Sequence, residues 1–504
     1  MAGEFTRRET LRISAGAAVG TGVSGWTGLA SASVAESRPL THADDVEIER
    51  LASLIIETDV DRVVDVVVGE LERGLSRQHF LAANFIAGIR FQGHHYAYVA
   101  HPVNVVSNAI PAKSSLLPMF CHLEALKTSR GSERLRAIDK SKIPSIGIAE
   151  ESFQVAMREN DSDTASLAFL ALAREYGPQR AYDRLWIYGA GRNHRSGGHT
   201  AISVINTFRT LRAIDWRCPE TVLQFAVEDS AVGRALGSDL YIVNQDRAAC
   251  VAQLPPAWIS SKSRRESVLD LLNLYRDSRP ADACQKTFDL LQRGEVEAGT
   301  VWDALFLTTA EMTARYIWVG SKMLAGHSIT CTNAMHFVYR TVHDPVTRLY
   351  ALLEAVEWTT SFLDRERTRP ALRKRSIIDV APAKLTVDDK TPDRIFSIIP
   401  IRRRRHFSPV LLPEADRAHE LAFAWAQQNT DHTPFIQEAL RLVCLKSTTE
   451  VHDFKFPLAL FENYRHASPE WKPHLLAASV YVLHGTQIED SPIVKQARER
   501  LKLG

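Results

Sequence analysis

The chain carries only six cysteines, Cys121, Cys218, Cys250, Cys284, Cys331 and Cys444, and no two of them stand at C-x-x-C spacing. That excludes a zinc ribbon, a haem attachment site and a dense disulfide framework, and leaves single buried thiols. Charge of one sign is equally lacking. Lys and Arg number 61 against 59 Asp and Glu, a formal net charge of +2. Such a balance sets up no overall field toward nucleic acid or membrane, and no nucleic-acid partner is expected. Alternating apolar runs are few, and no Asn-Gly or Asp-Gly hairpin turn occurs, which argues against a β fold. H-E-x-x-H, G-x-x-x-x-G-K-[ST], G-x-S-x-G and a strand-borne G-x-G-x-x-G are missing. So is the paired Glu plus E-x-x-H pattern of di-iron bundles. A standard zinc protease, P-loop enzyme, α/β-hydrolase or Rossmann dehydrogenase is thereby set aside.

What is present is an ordinary globular balance, 45% apolar and 24% charged over 504 residues, enough for one large core. The N-terminus carries Thr6-Arg7-Arg8-Glu9-Thr10-Leu11-Arg12, which resembles a twin-arginine export motif. A Gly- and Ala-rich run from Ile13 to Ala30 follows, then small residues that suit cleavage after Ala32 or Ala35. Residues 1–35 therefore read as a signal peptide for the twin-arginine translocase, and 36–44 as a linker. The mature protein is expected in the periplasm or another extracytoplasmic space, without stable membrane association. A charged N-terminus before a flexible linker is the plainer alternative. An uncleaved anchor is another, but five glycines make the run a poor spanning helix.

From Asp45 to about residue 490 the apolar spacing is helical almost throughout, which predicts an all-α single domain of packed antiparallel helix pairs. Residues 364–407 shift to charge and proline and end in Arg402-Arg-Arg-Arg405-His406. They read as a charged basic loop insertion, either solvated or a rim for anionic ligands.

Three stretches share a pattern: His101 to Asn108, His199 to Asn206, and His327 to Asn333. Each places a histidine near a predicted helix start and an asparagine on the turns that follow. The third helix is expected to open at Gly326. His95 lies in the tract before His101, and His122 near a Pro-started helix. His452-Asp453 precede Pro457, which predicts an extended approach there. Neutral imidazole is a good ligand for zinc, copper or iron, and a neighbouring Asp can fix its tautomer. Taken singly, each histidine is better explained as a satisfied core or surface residue. Their recurrence points to a shared site, with an old helical repeat as the alternative.

The stretches Ser114–Lys127, His199–Ala226, Trp302–Arg340 and His452–Ala478 resemble a family of twin-arginine-exported bacterial helical proteins. More distantly they are similar to the questin oxidase-like family, over most of residues 45–490. The fungal members of that family cleave a ring of a polyketide anthraquinone by Baeyer–Villiger-type oxygen insertion. The resemblance implies an all-α oxidoreductase using molecular oxygen, with His199, His327 and the His452-Asp453 pair at site positions. The chain departs from that family by its export signal, since reduced nicotinamide is not available outside the cytoplasm.

These readings combine into one expectation: a metal-dependent oxidoreductase acting on a small molecule. His199, His327 and His452 are its candidate catalytic ligands, and His95 or His101 supplies a fourth. Asp453 is expected to orient His452. Asn108, Asn206, Asn333 and His122 are expected at substrate or fixed water. The cofactor is a divalent transition metal ion: iron, copper or zinc. A metal-dependent hydrolase or lyase and a non-catalytic helical binding protein are the alternatives.

Overall fold

The computed structural model describes residues 44–91, 94–128, 135, 138–191, 198–231, 240–315, 319–366, 374–381, 388, 390–399, 412–447 and 451–503. The twin-arginine stretch, nearly all of the linker and the Arg402–Arg405 run lie outside the described residues.

Among the described residues every regular element is a helix. The first six α-helices are α1 (Asp45–Glu57), α2 (Val63–Glu72), α3 (Arg77–Phe91), α4 (His94–Tyr98), α5 (Ala100–Ala109) and α6 (Leu117–Thr128). Next come α7 (Ile146–Glu159), α8 (Ser162–Tyr176), α9 (Pro178–Gly191), α10 (His199–Ala213), α11 (Pro219–Ala231) and α12 (Leu240–Ala249). Then follow α13 (Arg265–Asp277), α14 (Pro280–Gln292), α15 (Ala298–Arg315), α16 (Val319–Thr341) and α17 (Pro345–Glu366). The last are α18 (Thr391–Ile398), α19 (Leu412–Gln428), α20 (Thr433–Lys446), α21 (His452–His466), α22 (Lys472–Ala478) and α23 (Pro492–Arg500). None of the described helices is long and apolar enough to cross a membrane.

The helices follow from their spacing. In α13 the buried residues are Val268, Leu271, Leu272 and Tyr275, a one-face stripe that leaves the charged positions to solvent. In α15 every residue from Thr300 to Ala314 is buried, so this helix runs through the middle of the domain. Several of its polar groups find partners inside. Thr308 and Thr313 donate back to Ala304 O and Ala310 O, and Glu311 accepts from Arg276 and from the Ile377 amide. Helices α13, α16, α17 and α22 pack around α15, and one contiguous apolar core joins nearly all the elements.

Several local expectations change. Helix α16 does not open at Gly326 but runs from Val319, so Gly326 and His327 lie inside it. Glycine in a helix costs about 1 kcal/mol relative to alanine; here a Cβ at position 326 would overlap the Phe456 ring of α21. Close packing of two helices therefore overrides the propensity. His452 and Asp453 are likewise helical, the first two residues of α21, with Pro457 inside the helix. Phe454, Phe456 and Leu458 are buried there, and that burial outweighs the preference of a pre-proline residue for extended backbone. The 364–407 stretch contains α18, whose Ile395 and Phe396 enter the core.

Candidate metal centre

Three helices build the site. Helix α10 packs on α16, α16 packs on α21, and the short α4 lies against α10. His199 is the first residue of α10 and follows Gly198, whose φ of +89° turns the chain into the helix. His452 is the first residue of α21. His327 faces both from within α16, and His95 reaches in from α4.

The four imidazoles meet. The His199 and His327 Nε2 atoms are 2.7 Å apart, and those of His452 and His327 are 3.3 Å apart. The His95 ring centroid lies 4.5 Å from that of His199 and 5.4 Å from that of His452. His95, His199 and His452 each offer a nitrogen within 4.8 Å of the other two. Phe456 closes one side, 4.9 Å from the His452 ring and 5.5 Å from His327, and Tyr98 closes another at 6.0 Å from His199. His327 and His452 are buried; His95 and His199 are partly so.

The electrostatics favour a neutral ring at His452. Burial holds His452 well below the ordinary imidazole range, and Lys455 and the other three imidazoles push it the same way. The amino ends of α10 and α21 add partial positive charge at the same point. Neutral imidazole is the metal-binding form. Four nitrogens held tetrahedrally at about 2.1 Å from an ion stand roughly 3.4 Å apart. The 3.3 Å His327–His452 spacing matches that value, whereas the 2.7 Å His199–His327 pair stands closer, at hydrogen-bond distance. The donor set fits a transition metal that accepts nitrogen ligands.

The remaining predicted residues surround this centre or lie apart from it. His122 donates from Nε2 to the Tyr96 carbonyl at 2.8 Å, and Asn206 donates to the Tyr98 carbonyl at 3.1 Å. Both grip the backbone of α4, the five-residue helix that presents His95. Gly88 of α3 approaches the same backbone, where an added Cβ would stand 3.1 Å from Tyr96 C and O. Asn333 donates to Asn463 Oδ1 at 3.0 Å and accepts from Arg209 at 3.0 Å. His101 is not in the imidazole group: its Nε2 lies 3.1 Å from Glu462. Asp453 lies 3.0 Å from His484 Nε2. Asn108 is at the surface, where it accepts from Arg77.

Sequence reasoning missed the ion pair below the histidines. Arg209 Nη1 donates to Glu462 Oε2 at 3.1 Å, and also to Asn333 and Asn206. Its guanidinium lies 4.3 Å from the centre of the Phe337 ring. Arg209 and Glu462 each lie ten residues after a site histidine, His199 and His452, and Phe337 lies ten after His327. That common spacing was a usable signal. It means the three helices run in the same direction and in register.

Compared with family models, curated proteins and solved structures, the chain matches none. The fold and the site define a class in chemical terms, an all-α domain with a cluster of imidazoles at its centre.

Proposed function

We propose that this protein is a metal-dependent oxidoreductase whose ion is held by His95, His199 and His452, with His327 as a further ligand. The observation that carries the reading is the gathering of four imidazoles from four helices: His327 Nε2 lies 2.7 and 3.3 Å from those of His199 and His452, and His95, His199 and His452 offer nitrogens within 4.8 Å of one another. A bound iron, copper or zinc ion would activate oxygen or polarise a carbonyl. Among the described residues the candidate ligand group is histidine alone. An all-imidazole set holds redox-active iron or copper as readily as zinc, so it is compatible with redox chemistry. The resemblance to the questin oxidase-like family points the same way.

The chain's own residues prepare the site. Burial and the positive surroundings keep His452 unprotonated. The amino ends of α10 and α21 attract an anionic group of a small-molecule substrate. His122 and Asn206 hold α4, and so His95, in place. Phe456 limits water on one flank. The twin-arginine stretch would deliver the folded protein to the periplasm, and Arg7→Lys with Arg8→Lys should retain it in the cytoplasm.

The second reading, metal-assisted hydrolysis, rests on the 2.7 Å contact of His199 and His327. A His327 that does not bind the ion is placed there to hold a proton on Nε2. Elemental analysis of untagged protein, followed by oxygen-uptake measurements over a panel of aromatic and carbonyl compounds, separates the readings. We expect about one equivalent of iron or copper per chain. Zinc with oxygen-independent turnover supports hydrolysis, and metal below about a tenth of an equivalent after reconstitution overturns both.

A further inference from the structure

Helix α21 carries a lysine where a folded chain seldom keeps one. Lys455 is 1% exposed, so its ammonium head lies inside the domain along with its stem. Lysines ordinarily bury the stem and leave the head in water, so packing of the stem alone does not account for this position. Lys455 stands three residues after His452, on the same side of α21 and about 4.5 Å further along its axis.

The head has a definite seat. Lys455 Nζ lies 5.2 Å from the centre of the Tyr98 ring, a cation–π contact. The same buried ring stands 5.9 Å from His95 and 6.0 Å from His199. One aromatic ring therefore separates Lys455 from two of the candidate ligands, and less than a helical turn separates it from the third. Its charge acts on His452 ahead of His327, His95 and His199.

Imidazoles bind as neutral ligands and leave the full charge of an ion in place. The charges around such a ligand set then decide which oxidation state is favoured. In a buried place, where water and salt screen weakly, a fixed positive charge opposes the more highly charged state.

We propose that Lys455 sets the reduction potential of the metal centre: its buried ammonium, seated on Tyr98 and within a turn of His452, holds a bound iron or copper ion in the lower oxidation state. This role rests on the metal reading above. The oxidised ion takes one electron from an external reductant; no bond to Lys455 forms or breaks, and the lysine keeps its proton throughout. Lys455 thereby keeps the centre in the form that reacts with oxygen.

The test is potentiometric titration with dithionite of the full chain loaded with copper or iron, after the metal content of each variant has been measured. Lys455→Met should shift the oxidised-to-reduced ratio at a fixed potential at least about tenfold toward the oxidised ion. Lys455→Gln should do the same, and keeps a polar end should the Met variant fail to fold. Lys455→Arg retains the charge and should stay within about threefold of wild type. Lys495→Met, at an exposed position paired with Glu489, should leave the ratio unmoved. Full metal content with an unchanged ratio in Lys455→Met and Lys455→Gln overturns the role of Lys455 and leaves the metal reading standing. A shift as large in Lys455→Arg overturns it as well, because shape and not charge would then be the cause. A wild-type chain that takes up no ion overturns both, at the loading step, before any potential is read.

Discussion

Two levels of the α10–α16–α21 seam solve opposite problems. Ten residues below the histidines, Arg209 and Glu462 meet as opposite charges, and the pair is completed by Asn206, Asn333 and His101. Burial raises a carboxyl, yet Arg209 and His101 prevail and hold Glu462 far below the usual range. Attraction between the partners accounts for that knot. At the imidazole end four like rings converge, joined by nitrogen–nitrogen contacts such as the 2.7 Å one between His199 and His327. The comparison separates a region held by opposite charges from one built of like rings, where the proposed ion would sit.

The largest effect expected from breaking this contrast is at the imidazole end. His199→Ala or His452→Ala should lower metal affinity by at least about a hundredfold, read by competition with a chelator. The same variants without metal should keep the wild-type melting temperature. The knot should behave in the reverse way. Arg209→Ala leaves Glu462 as an uncompensated buried charge and should cost about 3–5 kcal/mol in urea unfolding, with metal affinity nearly unchanged. The double variant Arg209→Met, Glu462→Leu should recover much of that loss; failure to do so would mean that the pair contributes more than its mutual charge.

Two further experiments sharpen the role of the supporting residues. His122 is buried and pushed down to about 4 from 6.5, by burial against the opposing effect of the Tyr96 carbonyl. The unfolded chain therefore takes up a proton at His122 that the folded chain refuses between those two pH values. Stability from this group is present above about pH 6.5 and is lost progressively as pH falls to about 4, by an amount on the order of 3 kcal/mol. Unfolding curves of His122→Gln should be flatter over that window. Gly326→Ala should cost about 2 kcal/mol, because its Cβ meets the Phe456 ring, and should shift the metal spectrum by moving α21 against α16.

The smallest effect lies outside the seam. Glu354 and Glu357 of α17 are both buried, and the Asn244 amide donates to each, at 2.9 and 3.0 Å. Burial, then Glu357, raise Glu354 well above the ordinary carboxylate range. The folded chain thus retains a proton that the unfolded chain releases once pH passes about 4.5, and stability falls as pH rises through the interval. Glu354→Gln should stabilise the protein at neutral pH by on the order of 1 kcal/mol and leave it unchanged at pH 4. Equal effects at both pH values would mean that Glu354 is already ionised in the fold.

Much of this was legible in one dimension. The helical spacing of Val268, Leu271, Leu272 and Tyr275 and of its counterparts elsewhere is periodic and local, so the all-α class follows from sequence. The His-plus-Asn recurrence directed attention to His199 and His327. Partners were not legible. Asp453 stands next to His452 in the chain yet lies beside His484, because successive residues of a helix point about 100° apart. Asn206 looked like a ligand-binding amide and proves to hold the Tyr98 carbonyl. The boundaries of α16 and α21 were also out of reach, since Gly326 and Pro457 are local breakers that only the packing of Phe456 overrides.

The amino-acid string by itself determined the helical class and the buried faces of most helices, because those depend on residue spacing along a single axis. Only the tertiary structure decided that α10, α16 and α21 run parallel and in register. That register places imidazoles at one level and an ion pair at the next. Its physical origin is side-chain fit between distant segments, a glycine opposite a phenylalanine above all, and no local propensity encodes it.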